Sequence, residues 1–291
     1  MKKTRVQLAG GIGNQLFQLA AGIHFSKLYK TDLVLVRPEE SDSKFFHDDG
    51  LWKIPKLEVV RRFILLRSGI GGLLWRIDRK LLTKLLILQK IRRVYEFNDY
   101  KDVDLNYKYP REMRGYFQIL DFAIEARQDI QNLLQTTNGP KLEELCNSIK
   151  AEGAISLHVR RGDYGTLDHI YGTLGKSYYL TSLENCRKTL GSLKVIVFSD
   201  DVSAAKEMLS GTEFQSFNFR FITGEFSPAE SILLMSNCSA HITANSTFSW
   251  WGAFLSDSTK IVVYPSPWTK THRIENDFFP ADWVGSAPNW D

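Results

Sequence analysis

Residues 155–164 combine a short apolar strand pattern with polar side chains that could bind an anion. The apolar alternation reaches His158, and Arg160, Arg161 and Asp163 follow around a glycine turn. Arginine stays charged and offers a planar fork of donors that can hold two phosphate oxygens at once. Because open α/β sheets bind ligands at the carboxyl ends of their strands, we expect this cluster to hold a phosphorylated group. On these ten residues alone, an ion pair within a loop is equally expected.

A second candidate lies at residues 10–15, where a glycine-rich turn joins a first strand to an amphipathic helix. The dinucleotide fingerprint would need a third glycine where Leu16 stands and an acid after the second strand, so a dehydrogenase is disfavoured. What remains is Gly13 and Asn14 at a helix start. There, backbone donors and the Asn14 amide could face a ligand that develops negative charge. The structural alternative is a tight turn with Asn14 as the helix cap.

Two more predicted strand ends carry polar groups. Asp200 and Asp201 follow a wholly apolar strand, where a carboxylate could bind a ribose hydroxyl or a purine edge, although either one could equally cap the next helix. Residues 244–251 place an amide and several hydroxyls at a strand-to-helix turn, and a helix start of this kind can hold a phosphate without a metal. Trp250 and Trp251 are expected in the core, because large aromatic side chains mostly serve packing.

Alternating strand and helix patterns are expected to position these residues. In the carboxyl-terminal half the strands are predicted at 155–159, 195–198, 219–222, 240–243 and 261–264, and the helices at 178–190, 202–209, 229–235 and 248–255. This alternation predicts a parallel, doubly wound sheet whose strand ends share one crevice. In the amino-terminal half, strands are predicted at 4–9, 33–36 and 113–117, and helices at 16–28, 120–134 and 142–149. The clearest break signal, at 136–140, predicts two domains, 1–145 and 146–291.

Composition limits the class of protein. The 291 residues are 43% hydrophobic, which is enough for one large or two ordinary domains. The first residues lack a signal-peptide pattern and no apolar run is long enough to span a bilayer, so a cytoplasmic protein is expected. Cys146, Cys186 and Cys238 are far apart and odd in number, which predicts buried, reduced thiols rather than disulfides or a zinc site.

Residues 61–93 contain ten Lys or Arg residues and one acid, Asp78. Within this segment, residues 73–91 have apolar positions at helical spacing and predict a basic amphipathic helix. Such a helix either packs on its own domain or lies peripherally on an anionic membrane surface. Nucleic-acid binding is disfavoured, because the segment is periodic in leucine and lacks interleaved aromatic residues.

Four motifs, at residues 10–18, 158–164, 198–201 and 246–251, occur in one order across nearly the whole chain. Together they resemble glycosyltransferase family 11, and within it the bacterial α-1,2-fucosyltransferases. The resemblance implies an α/β fold of GT-B type, with two facing Rossmann-like domains and a cleft between them. It implies that the carboxyl-terminal domain holds GDP-β-L-fucose and that the amino-terminal domain lies on the acceptor side. It also implies inversion at the fucose anomeric carbon without an essential metal.

The expected reaction moves fucose from GDP-fucose to the 2-hydroxyl of a terminal β-galactoside, in an oligosaccharide or a lipid-linked O-antigen glycan. Arg160 is expected to stabilise the charge that grows on the leaving pyrophosphate. By resemblance, Asn14 reaches towards the reacting centre. The residues expected to bind the donor are Gly13, His158, Arg161, Asp200, Asp201, Asn245, Ser246, Thr247 and Phe248.

The general base has two candidates. Asp163 belongs to the family motif, but a carboxylate beside arginines has a lowered pKa and is a poorer base. Asp168 stands eight residues after Arg160, the offset of the catalytic acid in the core α-1,6-fucosyltransferases. Asp102 and Asp104 have the spacing of a metal site on a nucleotide sugar, although a surface turn is favoured there. The alternatives are fucosyl transfer in another linkage, α-1,6-like, and a nucleotide-sugar-binding subunit without turnover.

Overall fold

The structure is a computed structural model that describes residues 3–37, 50–54, 59–61, 94–96, 112–161, 168–191, 194–271 and 278–291. The chain divides into two compact units, Met1–Ala126 and Arg127–Asp291. The predicted amphipathic helix at 73–91 lies outside the described residues, and so do Asp102, Asp104 and Asp163. Among the helices that are described, none is both long and apolar enough to cross a bilayer.

The first unit is built on a parallel sheet of five strands. Its elements are β1 (Lys3–Gln7), α1 (Ile12–Tyr29), β2 (Asp32–Arg37), a 3-10 turn (Leu51–Lys53), β3 (Val59–Arg61), β4 (Val94–Glu96) and β5 (Glu112–Arg114). The strands lie in the order β3-β2-β1-β5-β4, and every neighbouring pair is parallel. Because the order reverses between β1 and β5, the turns that leave these two strands flank the topological switch point, where open α/β sheets bind ligands.

The second unit is built on a parallel sheet of six strands. Its helices are the carboxyl-terminal part of α2 (Leu120–Gln135), α3 (Pro140–Glu152), α4 (Asp168–Tyr171), α5 (Lys176–Leu190), α6 (Val202–Met208), α7 (Pro228–Ser236) and α8 (Thr247–Phe254). Its strands are β6 (Ile155–Val159), β7 (Lys194–Ser199), β8 (Asn218–Phe221), β9 (Ala240–Ile242), β10 (Ile261–Pro265) and β11 (Val284–Ser286). They lie in the order β11-β10-β9-β6-β7-β8, which is the Rossmann order read from the other edge. The switch point of this sheet lies between β6 and β9.

Apolar residues cover both faces of this second sheet, as the predicted parallel arrangement requires. On β7, Val195 and Val197 pack into one core cluster with Tyr178 of α5. The alternate residues Ile196 and Phe198 pack into another. Successive side chains of a strand point to opposite faces, so one apolar run supplies both cores. This explains why β7 reads as a continuous hydrophobic segment.

The division between the units falls inside α2, before the boundary predicted after residue 145. The carboxyl-terminal part of α2 belongs to the second unit because its side chains bind the end of α8. Arg127 donates from Nε to the carbonyl of Phe254 at 3.0 Å and from Nη2 to that of Ser256 at 2.9 Å. Gln131 donates to the carbonyl of Leu255 at 2.8 Å. The break signal at 136–140 therefore separates two helices, α2 and α3, rather than two units.

All three cysteines are buried and free, as predicted. Burial raises the pKa of the Cys146 thiol to about 11 and that of the Cys186 thiol to about 12. These thiols are therefore protonated at neutral pH and act as small apolar groups.

Candidate functional site

Arg160 brings together the turns that follow β6, β7 and β9. Its Nη1 donates to the hydroxyl oxygen of Ser246 at 3.1 Å, and its Nε lies 3.8 Å from a carboxylate oxygen of Asp200. The Arg160 side chain is 25% exposed, so its charge is partly shielded from water yet still accessible. The structure thus places Arg160 and Ser246 at the switch point of the second sheet, with Asp200 beside them at the end of β7.

Ser246 begins α8 as its N-cap, with its hydroxyl accepting from the Phe248 N–H at 3.4 Å. The N-terminal end of a helix carries partial positive charge and N–H donors, which favour an anion. Trp250 and Trp251, inside the same helix, are completely buried, which confirms the prediction that they serve the core. The start of α8 is therefore fixed on a packed base, with Arg160 beside it.

His158 is a buried residue whose Nδ1 lies 2.9 Å from the hydroxyl oxygen of Ser249 in α8. The Phe248 ring lies 5.3 Å from the imidazole, centre to centre. Burial, and to a smaller extent the charge of Arg160, lowers the pKa of His158 to about 3. The imidazole is therefore neutral at physiological pH. It links β6 to the first turn of α8 without competing with Arg160 for an anion.

Arg161 extends in another direction than Arg160. Its Nη1 lies 2.7 Å from a carboxylate oxygen of Asp291, and its Nη2 donates to the carbonyl of Leu174 at 3.0 Å. Its backbone N–H donates to Asp200 at 2.8 Å, which fixes the carboxylate that faces Arg160. Both arginines therefore form ion pairs, Arg161 with Asp291 and Arg160 with Asp200, and Arg160 in addition lies beside the start of α8 at the switch point.

Asp201 and Asn245 were also predicted to bind the sugar donor. In this structure their side chains form hydrogen bonds with backbone groups. Asp201 caps α6 by accepting from the Ala204 N–H at 2.9 Å, which is the structural alternative considered for the aspartate pair. Asn245 donates to the carbonyls of Tyr171 and Gly172 at 2.9 and 3.2 Å. These contacts connect the start of α8 to the turn that follows α4. Thr247 and Phe248 are both half-buried in the first turn of α8.

Asp168, one of the two candidate bases, begins α4 and is engaged on both carboxylate oxygens. One accepts from the Thr173 hydroxyl at 2.7 Å and the other lies 2.8 Å from the Lys270 ammonium. The hydrogen bond from Lys270, followed by that from Thr173, lowers the pKa of Asp168. A stabilised carboxylate is a weaker proton acceptor, so these contacts disfavour Asp168 as the base.

Asn14 lies at the switch point of the first sheet. The N-cap of α1 is Gly11, so the structural alternative, in which Asn14 caps the helix, is wrong: Asn14 and the buried Gly13 lie inside the first turn. The Asn14 side-chain oxygen instead accepts from Nε2 of Gln118 at 3.0 Å, in the turn that follows β5. Gly10 has φ +71°, and a Cβ there would lie 2.8 Å from the Asn14 amide nitrogen. A glycine is therefore needed directly beside Asn14.

Sequence reasoning assigned no role to three glutamines that build this turn. Gln15 donates to the carbonyl of Gly10 at 2.7 Å. Gln18 accepts from the Ala9 N–H at 2.9 Å and donates to the carbonyl of Gly115 at 3.0 Å. Gln15 and Gln18 are fully buried and three residues apart on an otherwise apolar helix face, which was the available signal. Gln118 had no such signal in the sequence.

Comparison with known proteins gives a matching family model and similar relatives. A family model described as Glycosyl transferase family 11 matches residues 70–287. The chain is 29% identical over 285 residues to an alpha-1,2-colitosyltransferase of Escherichia coli, covering 96% of this chain and 97% of that protein. It is 31% identical over 304 residues to the O-antigen biosynthesis glycosyltransferase WbnK of Escherichia coli, covering 90% and 93%.

Among solved structures, a glycosyl transferase family 9 protein of Veillonella parvula DSM 2008 aligns with a TM-score of 0.51. The alignment covers 98% of this chain and 87% of that chain at 12% identity, so the likeness concerns the fold alone. The predicted α/β fold class of GT-B type is confirmed.

Proposed function

Because the chain belongs to glycosyltransferase family 11, we propose that it transfers L-fucose from GDP-β-L-fucose to the 2-hydroxyl of a terminal β-galactoside. The product is an α-1,2 linkage, formed with inversion at the anomeric carbon. Two relatives support the linkage and the setting, since one is described as an alpha-1,2-transferase and the other as an O-antigen glycosyltransferase. The proposed acceptor is accordingly a galactose-terminated oligosaccharide or lipid-linked glycan.

The observation that carries the proposal is the pairing of Arg160 with the capped start of α8. When the bond from fucose C1 to the pyrophosphate oxygen breaks, negative charge grows on the GDP leaving group. A fixed guanidinium and helix N–H donors can stabilise that charge without rearranging during the reaction. Arg160 is therefore the proposed electrostatic catalyst. We propose that this protein-supplied positive charge makes a metal ion dispensable.

Inversion requires the acceptor hydroxyl to attack the face of the sugar opposite GDP and to lose its proton to a base. Asp168 is bound to Lys270 and Thr173, which lowers its basicity. We therefore favour Asp163, from the same family motif, as the base. Asn14, at the switch point of the first sheet, is the proposed acceptor-side contact.

A second candidate concerns the sugar of the donor. The relative that covers 96% of this chain is described as a colitosyltransferase. Colitose is fucose that lacks the 3-hydroxyl group, so the same phosphate and base contacts would serve either donor. Rates with the GDP esters of the two sugars, in competition for one galactoside acceptor, distinguish them. A preference for colitose would correct the donor sugar and leave the linkage proposal in place.

The first experiment is calorimetric titration with GDP, UDP and CMP in the presence of a chelator. It does not depend on the acceptor. We expect micromolar GDP binding, about −7 to −8 kcal/mol, and no binding of the other two. Binding of UDP but not GDP would contradict the donor assignment. Strict dependence of GDP binding on added Mn²⁺ would contradict the metal-free proposal and return attention to Asp102 and Asp104.

Peripheral contact with a membrane through residues 61–93 remains a prediction from the sequence. Cosedimentation with anionic and with uncharged phospholipid vesicles tests it. Pelleting only with the anionic vesicles, reduced by salt, is the expected result. Equal recovery with both kinds of vesicle would contradict membrane contact by charge.

A further inference from the structure

The turn that follows β5 in the first unit has an unusual backbone. Phe117 has φ +49°, in the left-handed region that bulky residues rarely adopt, and its side chain is buried. The preceding Gly115 also has positive φ, at +149°. The conformation directs one aromatic residue inwards and leaves its neighbour Tyr116 39% exposed, among the few large hydrophobic residues on the described surface. Strained backbone of this kind is concentrated at ligand-binding sites.

This turn is connected to the glycine turn that follows β1. Gln118 donates to the Asn14 side chain at 3.0 Å, and Gln18 donates to the Gly115 carbonyl at 3.0 Å. A Cβ on Gly10 would lie 2.8 Å from the Asn14 amide nitrogen and 3.5 Å from the Tyr116 ring. The Asn14 amide and the Tyr116 ring thus border the same glycine. A partly exposed tyrosine and a side-chain amide therefore lie close together at the switch point.

The chemistry of this cluster is neutral. Residues 8–16 and 115–119 contain no charged side chain. A phosphate would find no counter-charge among them, whereas a pyranose matches what they offer. The C–H face of a sugar ring packs on an aromatic ring, and its hydroxyl groups bond to amides.

We propose that Tyr116 is a sugar-recognition platform. Its ring packs on the C–H face of the acceptor's terminal galactose, and the Asn14 amide, held by Gln118, binds a hydroxyl of the same sugar. The identity of that sugar as the acceptor rests on the proposed function. The platform itself rests on the exposed ring, the positive-φ turn and the neutral amide pair.

The test measures galactoside binding directly, without donor. Saturation-transfer NMR with methyl β-D-galactopyranoside and with lactose as probes should show transfer to the sugar ring protons in the native protein. The signal should persist in Tyr116→Phe, which keeps the ring, and disappear in Tyr116→Ala and Tyr116→Leu. Ile124→Ala is the matched control, since it removes another exposed apolar side chain from the same unit. Absence of transfer in the native protein, or equal signals in Tyr116→Ala, would overturn the platform.

Steady-state kinetics with lactose provide the second readout. Tyr116→Ala should raise the acceptor KM about tenfold while the affinity for GDP, measured by calorimetry, stays within about twofold. A parallel loss of GDP affinity would indicate general damage and overturn the assignment. Tyr116→Leu serves the same purpose if the alanine variant does not fold.

The experiments distinguish a failure of the Tyr116 platform from a failure of the proposed fucosyl transfer. A native protein that binds both galactosides but transfers no fucose leaves the platform standing and refutes the proposed function. A native protein that fucosylates lactose, with an unchanged KM in Tyr116→Ala and Tyr116→Leu, refutes the platform and leaves the function standing.

Discussion

The two sheets of this chain each reverse their strand order once, and the side chains at the two switch points differ in charge. Between β6 and β9, Arg160 lies against Ser246 at the start of α8, with Asp200 nearby. Between β1 and β5, the corresponding turns present Asn14, Gln118 and Tyr116, all uncharged. The same topology thus supports an anion site in one unit and a neutral polar site in the other.

This difference shows that topology sets the place of a ligand site and side chains set its chemistry. A nucleotide sugar carries its charge on the pyrophosphate, and a glycan acceptor of the proposed kind is neutral at the reacting sugar. The charged switch point matches the first and the neutral one matches the second. Three substitutions test this contrast, and a fourth tests the burial of a histidine in the second unit.

Arg160→Ala should have the largest effect. Removing the guanidinium should lower turnover by about 10²–10³-fold, or about 3–4 kcal/mol, and should weaken GDP binding. Turnover assays with GDP-fucose and calorimetry with GDP measure the two effects. Arg187→Ala is the control, because Arg187 is paired with Glu184 on the surface of α5. Retained turnover in Arg160→Ala would remove the charge contrast between the switch points.

Acid should destabilise the second unit through its buried histidines. Burial lowers the pKa of His158 and of His241 to about 3, from an ordinary value of 6.5. Between these pH values the unfolded chain binds protons that the folded chain does not, so stability falls as the pH falls. At pH 5 each histidine should therefore lower the free energy of unfolding by about 2 kcal/mol.

His241→Asn isolates this effect, because the two ring nitrogens of His241 bond to the hydroxyl groups of Ser156 and Thr259, at 2.8 and 2.9 Å, and neither residue belongs to the candidate site. Urea unfolding at pH 7 and pH 5 should show a smaller loss of stability in the variant, by about 2 kcal/mol. Equal losses in the native protein and the variant would mean that His241 is protonated in the folded state.

Gly10→Ala tests the neutral switch point. The substitution should lower the free energy of unfolding by about 1–2 kcal/mol, because alanine is strained in a left-handed backbone and its Cβ would contact Asn14. Gly11→Ala is the matched control, because Gly11 has φ −69° and open space around a Cβ. The free energy of unfolding of Gly11→Ala should change by less than about 0.5 kcal/mol. Thermal or urea unfolding compares the two, and equal stabilities would contradict the crowded turn.

Gln118→Leu should have the smallest effect. Losing the hydrogen bond to Asn14 should lower turnover by about 1 kcal/mol, or roughly fivefold, and leave GDP affinity unchanged. Gln128→Leu is the control, since Gln128 makes the same amide contact to Asn132 at 3.1 Å on the exposed surface of α2. A matching loss of GDP affinity in Gln118→Leu would show that the two switch points are not chemically separate.

The strands and helices of the second unit could be predicted from the sequence, because strand and helix patterns alternate along it. The predicted strands 195–198 and 261–264 lie within β7 and β10 as observed. The boundary between the two units could not be predicted in the same way. A Gly-Pro pair starts a helix as readily as it separates domains, and here Pro140 starts α3.

The roles of individual site residues were harder to derive. Arg160 and Arg161 are adjacent and chemically identical, and only the fold shows which of them meets Ser246 and which meets Asp291. Gln118 binds Asn14 across 104 residues of sequence. No local pattern encodes such a pairing, because it arises from the order of β1 and β5 in the sheet.

Helix α8 is eight residues long, and a helix that short does not persist alone in water. It is held at its start by Ser246, in its middle by two buried tryptophans, and at its end by Arg127 and Gln131 of α2. Its backbone amide hydrogens at residues 250–254 should therefore exchange with deuterated solvent on the timescale of unfolding of the whole unit. On shorter timescales the start of α8 stays folded, so a ligand can bind its N–H donors without a preceding ordering of this helix.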